Sequence, residues 1–332
     1  MNNTKNPHEH PFAQYVRILG KGKKGSRSLT ESEAFDAMQM IMNKEVEDVQ
    51  LGAFLMLLRV KEESPEELIG FTKAVRQHFP TTRIQADLDW SSYAGKRRHL
   101  PWYLLAIFVL AQNNHRIFIH GASGHTIDRI YTEDILKDLG FAIATSWQEA
   151  ESQLEVNNFT YFPLAHLNPE LHRIIELRNT LGLRSPVHTL ARLLNPTSAP
   201  AVIQGIFHPG YQPVHQSAGA ALGYQRISVI KGEGGEIEAN PDTDTLVQFS
   251  VDGAMDELSF PALYKKRHVK PKSLELGHLK SVWQGESDDE YGEGAVIKTI
   301  AIALIAMGKE TAPTSALNVA KNLWAGRNKS FL

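Results

Sequence analysis

From Trp102 onward, short runs of almost unbroken apolar residues alternate with helical patterns, and this alternation limits the fold more than any other feature. Arg116-Ile117-Phe118-Ile119-His120, Phe159-Thr160-Tyr161-Phe162, Ala201-Val202-Ile203-Gln204-Gly205-Ile206 and Arg226-Ile227-Ser228-Val229-Ile230-Lys231 read as strands. Between them, Tyr103 to Ala111 reads as a buried helix and Thr132 to Gly140 as a helix ended by glycine. Strands without a polar side need cover above and below, so the pattern predicts a largely parallel sheet between helical layers. A ligand is then expected at the carboxyl ends of the strands. The fold class is α/β, a small helical bundle followed by a larger α/β domain.

The bundle is legible in its caps. Thr30-Glu31-Ser32-Glu33 is a capping box, and Phe35, Met38, Ile41 and Met42 follow at helical spacing, giving a helix over about Leu29 to Asn43. Val49 to Leu58 is apolar nearly all round, which marks a helix buried among others. Ser64-Pro65-Glu66-Glu67 supplies an N-cap, a first-turn proline and a glutamate, opening a helix to about His78. The predicted organisation is a basic leader over 1–28, a helical domain over 29–85 joined by helices from about 168–190, and an α/β domain over 86–332. With 332 residues, 42% of them hydrophobic, the chain can bury a sizeable core.

Zero cysteines exclude a disulfide framework, a thiolate zinc site and a cysteine nucleophile, and fit a reducing compartment. The polar start Met1 to Pro7 lacks the apolar core of a secretory signal, so a cytoplasmic location is expected. Trp102 to Ala111 and Ile300 to Met307, the longest apolar runs, fall well short of the ~20 residues that span a bilayer. The 14 histidines show no metal-ligand spacing, and Gly121-Ala122-Ser123-Gly124 lacks the nucleophile-elbow spacing. Neither a metal nor a cofactor is expected, and no catalytic residue is assigned.

A net charge of -2 gives no overall pull toward nucleic acid, but the cations are clustered. Lys21, Lys23, Lys24 and Arg27 lie near the N-terminus, Lys96, Arg97 and Arg98 mid-chain, and Lys265, Lys266, Arg267, Lys270 and Lys272 in a late segment, while Glu286 to Glu293 is acidic. Gly20-Lys21-Gly22-Lys23-Lys24-Gly25 fits G-x-G-x-x-G without a preceding strand and reads better as a flexible basic arm. Tyr93-Ala94-Gly95-Lys96-Arg97-Arg98-His99 carries a single glycine among cationic or potentially cationic side chains. Such a loop grips anions with long mobile charges that suit a repeating polyanion, where a glycine-rich loop would use its main-chain N–H groups. Trp102 and Tyr103 read as the start of a core helix; Tyr93 is a candidate stacking ring beside the cations.

Several motifs, in order, resemble one family. Leu29-Thr30-Glu31-Ser32-Glu33-Ala34, Val49 to Met56 and Ser64 to Gly70 resemble the helical domain of the anthranilate phosphoribosyltransferase and nucleoside phosphorylase group, glycosyltransferase family 3. The likeness continues through Asp134 to Gly140, Phe162-Pro163-Leu164-Ala165-His166-Leu167-Asn168-Pro169, Leu177 to Ser185 and Leu193-Leu194-Asn195-Pro196. It implies the anthranilate phosphoribosyltransferase-like fold. The family's chemical motifs match less well: its Gly-Thr-Gly-Gly-Asp loop is replaced by Tyr93 to His99, its Lys-His-Gly-Asn by Ile119-His120-Gly121-Ala122, and its magnesium-binding Asp-Glu pair by Glu236-Ile237-Glu238 at best. Loss of that electrostatic clamp on the leaving group implies loss of most of the transferase rate.

This set of departures resembles the YbiB-like branch of the family. That resemblance implies a homodimer built through the helical domain, with a nucleic-acid surface that includes Lys231, favouring single-stranded DNA with RNA possible. The expected contacts are Lys231, Lys96, Arg97, Arg98, Lys21, Lys23, Lys24 and Arg27, with Arg173, Arg178 and Arg184 on or beside one helical stretch. His120, Gly121 and Glu236 mark the inherited substrate cleft. Two alternatives stand beside this reading. One is a phosphoribosyltransferase or phosphorylase of altered substrate specificity, holding pyrophosphate with Lys96 to Arg98 and Mg²⁺ with Glu236 and Glu238; the other is a protein-interaction scaffold.

Overall fold

A computed structural model describes residues 9–332 apart from Thr82 and Lys272, so the polar start, His8 and one cation of the late basic cluster lie outside the described residues. The chain forms two compact units. One runs to Pro80 and takes in Arg173–Leu194; the other holds Thr81–His172 and Asn195–Leu332.

The first unit is built on helices α1 (Ala13–Gly20), α2 (Glu31–Met42), α3 (Asp48–Lys61) and α4 (Pro65–Arg76). The caps form as the sequence predicts: Thr30 accepts from the Glu33 N–H, Ser64 from the Glu67 N–H, and Pro65 opens α4. Glu67 does more than close a capping box. Its buried carboxylate accepts from the Leu29 and Ser64 N–H groups at 2.8 Å each and from Lys61 Nζ at 2.7 Å, tying three segments to one charge. The predicted basic leader is in part structural. Phe12 is fully buried, packs edge-on against Tyr15 and Phe54, and seats α1 against α3, because aromatic spacing there outweighs the polar residues around it.

The second unit is a seven-stranded sheet in the order β3-β2-β1-β4-β5-β6-β7, formed by β1 (Leu88–Ser92), β2 (Ile117–Gly121), β3 (Phe159–Pro163), β4 (Ala201–Ile206), β5 (Arg226–Lys231), β6 (Thr245–Val251) and β7 (Ala254–Phe260). The five strands β1 to β5 run parallel; β6 and β7 add an antiparallel hairpin through Asp252-Gly253, a two-residue turn signal. Most of β7 is exposed and carries Asp256 and Glu257, which blunt an otherwise open sheet edge. Register puts Phe118, Asp89, Val202 and Ile227 on one face. There Trp147 packs against Phe118 and Phe162, and the helix Gln212–Ala221 lies on β5. The other face carries Ile117, Ile119, Leu88, Trp90, Ile203 and Ile230 into one core with α5 (Tyr103–Gln112) and the helix Glu290–Ala306, both buried along nearly all their length.

The chain leaves β1 for β2 and β3 on one side and reaches β4 and β5 on the other, so the strand order reverses at β1. Tyr93 to His99 leaves β1 at that point, and Lys231 ends β5 at the same carboxyl edge.

Close approach of α2 and α4 depends on Gly70, where an added Cβ would lie 2.3 Å from the Glu31 carbonyl oxygen and 2.8 Å from Ala34 Cβ. Gly70→Ala is therefore expected to destabilise the first unit by about 1–3 kcal/mol, the usual cost of overpacking, despite the better helix propensity of alanine. Chemical denaturation of the variant beside the wild type measures it; unchanged or raised stability contradicts the packing described.

Candidate functional site

At the carboxyl end of β1 the main-chain N–H groups of Ala94 and Gly95 converge, as a phosphate-binding loop would arrange them. Both already have a partner: Glu236 Oε1 accepts from each at 2.6 Å, and Oε2 accepts from Ser92 Oγ at 2.8 Å. Glu236 is fully buried. Because a carboxylate only accepts, Ser92 must donate to it, which orients the neighbouring hydroxyls. Thr132 Oγ1 lies 2.6 Å from Ser92 Oγ and 2.7 Å from the Tyr103 hydroxyl, so the chain runs Tyr103 to Thr132 to Ser92 to Glu236. Gly232 permits the turn that delivers this carboxylate, since a Cβ there would fall 1.6 Å from the Glu236 carbonyl oxygen.

Glu238 fills the adjoining position. Its Oε1 meets Lys96 Nζ at 2.5 Å and its Oε2 accepts from the Tyr103 N–H at 3.0 Å, at the first turn of α5, where an anion is favoured. Both side chains of this ion pair are buried. Burial lifts the Glu238 carboxyl to about 7, with Lys96 and the Tyr103 N–H pulling it down. Arg129 completes the closure, donating to the carbonyls of Ala94 at 2.8 Å, Gly95 at 2.9 Å and Gly234 at 3.2 Å.

Lys96 is thus an internal counter-ion, which corrects the expectation that it contacts ligand; a lysine four residues past a β-strand was drawn inward by Glu238. His120 and Gly121 are buried too. His120 Nδ1 lies 2.7 Å from the Tyr93 hydroxyl and its Nε2 3.3 Å from Asp89 Oδ1, so Tyr93 is locked inside and offers no stacking face. A Cβ on Gly121 would meet the Ser92 carbonyl oxygen at 2.1 Å. His120, Gly121 and Glu236 therefore pack the region where a substrate cleft was expected.

Open space lies beside it. A cleft of about 640 Å³ is lined by Arg98, Lys231, Arg267 and Lys270, which come from three separate sequence segments. Arg97, Arg98, Lys231, Arg267 and Lys270 are exposed. Glu233, Asp242 and Asp244 also line the cleft, but two of these carboxylates are engaged. Asp242 accepts from the His268 main-chain N–H at 2.7 Å and lies 2.7 Å from His268 Nδ1; Asp244 accepts from the Ala262 N–H at 2.8 Å. Ile206 pairs in register with Lys231, so exposed Phe207 leaves the sheet beside it.

The remaining expected contacts belong to the first unit. Lys21, Lys23 and Lys24 are exposed; Arg27 is held by Glu33 through two hydrogen bonds of 2.6 and 2.7 Å, and that pairing lowers the Glu33 carboxyl to about 2. Arg173 meets Asp48 at 3.3 Å, while Arg178 and Arg184 are half-buried.

Comparison with known proteins agrees with this architecture. The glycosyl transferase family helical bundle domain matches residues 14–79. An uncharacterized protein of Aquifex aeolicus is 27% identical over 311 residues, 91% of this chain and 94% of its own length, and the uncharacterized protein YbiB of Escherichia coli is 26% identical over 269 residues, 79% and 82% of the two chains. The crystal structure of anthranilate phosphoribosyltransferase from Thermus thermophilus superposes with a TM-score of 0.79 at 22% identity, covering 96% of this chain and 95% of that one. The chain thus carries a glycosyl transferase family helical bundle and has the anthranilate phosphoribosyltransferase-like fold. In this chain the N–H groups after β1 hold a carboxylate supplied by the chain itself.

The roles of Glu236 and Glu238 differ from those the sequence suggests, where Glu236 marks the inherited cleft and the pair holds Mg²⁺ only in the transferase alternative. Among the described residues, no set of three metal-ligating side chains converges, and both carboxylates are committed to N–H, O–H or ammonium donors. The signal was present in the i, i+2 spacing about Ile237, which turns both acids inward from one extended segment after a glycine turn.

A raised Glu238 carboxyl fixes the sign of a pH effect. Its uptake of a proton is easier folded than unfolded, so this group's contribution is complete below its ordinary value of 4.5 and is lost as pH rises through about 7. Relative to Glu238→Gln, the wild type is expected to lose about 2–3 kcal/mol between those limits in denaturation curves. Parallel curves for the two proteins, or a wild type that gains relative stability as pH rises, contradict the assignment.

Proposed function

We propose that this protein binds single-stranded nucleic acid along the cationic cleft of its second unit, largely without regard to sequence, and does not transfer phosphoribosyl groups. The observation that carries this reading is that Arg98, Lys231, Arg267 and Lys270, from three separate segments of the sequence, line one cleft, while the neighbouring main-chain anion cradle is filled by Glu236. Flexible cations spaced along a groove suit a strand of repeating phosphates, each contact releasing a counter-ion. Exposed Phe207 beside Lys231 supplies a ring on which any base can stack. A transferase needs its leaving group clamped, and Glu236 and the Lys96–Glu238 pair occupy the donors that would clamp it.

DNA and RNA share the backbone chemistry on which this reading rests, with single-stranded DNA the preferred ligand. A homodimer is part of the proposal, and exposed Val49, Val60 and Leu183 give the first unit apolar surface for it. So is a cytoplasmic setting, consistent with the absence of cysteine. No described helix is long and apolar enough to cross a membrane.

Affinity for a labelled single strand should fall linearly with log salt, at about -0.7 per phosphate engaged. Lys231→Ala with Arg267→Ala should weaken binding and flatten the slope by about 1.4. Salt-independent binding, or a double variant indistinguishable from the wild type, contradicts the proposal.

A further inference from the structure

A second cavity of about 380 Å³ adjoins the cleft, and His99, His268 and Tyr291 line both. Its inner wall is aromatic. His99 stacks on Tyr291 with ring centroids 4.1 Å apart and planes 15° apart, and the His278 ring stands edge-on to Trp102 at 6.0 Å. Its carboxylates are largely spoken for. Asp289 accepts the Gly292 N–H at 2.7 Å, capping a helix, and its other oxygen lies 3.1 Å from His278 Nε2; Glu290 lies 3.1 Å from His268 Nε2.

What it leaves unsatisfied is polar and neutral. His99 is only 7% exposed and borders both the cavity and the cleft. Among the described residues the buried Tyr291 hydroxyl has no hydrogen-bond partner. Burial, reinforced by Lys96, lowers the His99 ring below its ordinary value, favouring the neutral imidazole with one donor and one acceptor nitrogen. An unmet buried polar atom is costly, and a ligand that pairs with it recovers that cost. A planar heterocycle suits this wall, because its face can lie on the aromatic rings while its edge groups reach polar atoms of the lining.

We infer that this cavity receives one unpaired nucleobase, turned out of the strand whose phosphates occupy the neighbouring cleft, with the His99 ring as part of its stacking wall. The inference rests on the nucleic-acid reading above and adds to it a base subsite. Phosphate contacts by Arg98, Lys231, Arg267 and Lys270 hold the strand; the base subsite separates a strand with bases from a bare backbone of equal charge.

The test compares oligothymidylate with an abasic sugar-phosphate chain of the same length, on the wild type and on His99→Ala, at several salt concentrations. Stacking of one base predicts that the wild type prefers the base-bearing strand by about tenfold. His99→Ala should lose more affinity for the base-bearing strand than for the abasic chain, closing most of that preference. A strand carrying 2-aminopurine should also change fluorescence on binding the wild type, a readout that needs no variant. Equal wild-type affinity for both chains, or a His99→Ala loss that is the same for both, overturns the subsite while leaving the phosphate cleft standing. Absence of salt-dependent binding to either chain overturns the nucleic-acid reading, and the subsite falls with it.

Discussion

The carboxylate of Glu236, held by the N–H groups of Ala94 and Gly95 and by the Ser92 hydroxyl, fixes what the sheet edge of this protein can do. Converging N–H groups at a strand end attract an anion, and left empty in the interior they would be unpaired donors. A side chain from the same fold satisfies them permanently. With that carboxylate in place the donors of the loop after β1 are used, and Lys96 is turned inward to Glu238. The outward cations are those the closure does not consume, Arg97 and Arg98.

Charge in this unit is consequently sorted by depth. Buried charges sit in close pairs or accept several hydrogen bonds, as Lys96 with Glu238 and Glu236 with its three donors do, because an isolated buried ion is too costly. Lys298 follows the same rule. Buried in the core, it donates to the carbonyls of Thr243 at 2.6 Å and Asn240 at 3.3 Å, and burial lowers its ammonium to about 8 against the pull of Asp244 and Asp242. The surface cations, in contrast, keep their mobility. Such charges recognise a spread-out polyanion better than a small, precisely held leaving group.

Most of the architecture could be read from the residues. β2, β3, β4 and β5 are apolar enough to stand out, and the caps at Thr30 and Ser64 mark helices to within a residue or two. β1 escaped because Leu88-Asp89-Trp90-Ser91-Ser92 carries three polar residues, one of which, Asp89, serves His120 in the interior. The helix from Ala13 hid within a lysine-rich leader because Phe12, Tyr15 and Leu19 are its only strong signal. At the site, cationic composition in Tyr93 to His99 was visible, but not its partition into one buried and two outward charges, which depends on a carboxylate about 140 residues away. The convergence of Arg98, Lys231 and Arg267 likewise follows from strand order, which periodicity alone does not supply. Phe207 gave no signal at all beyond its place at a strand end.

Amide hydrogen exchange tests the central claim most directly, because it reports on the filled cradle and the open cleft in one experiment. The account predicts slow exchange at Ala94 and Gly95 that pyrophosphate with Mg²⁺ leaves unchanged, and new protection around 97–99, 231–232 and 264–271 when a single-stranded oligonucleotide binds. Rapid exchange at Ala94 and Gly95 that pyrophosphate slows, with the cleft segments indifferent to the oligonucleotide, would contradict it.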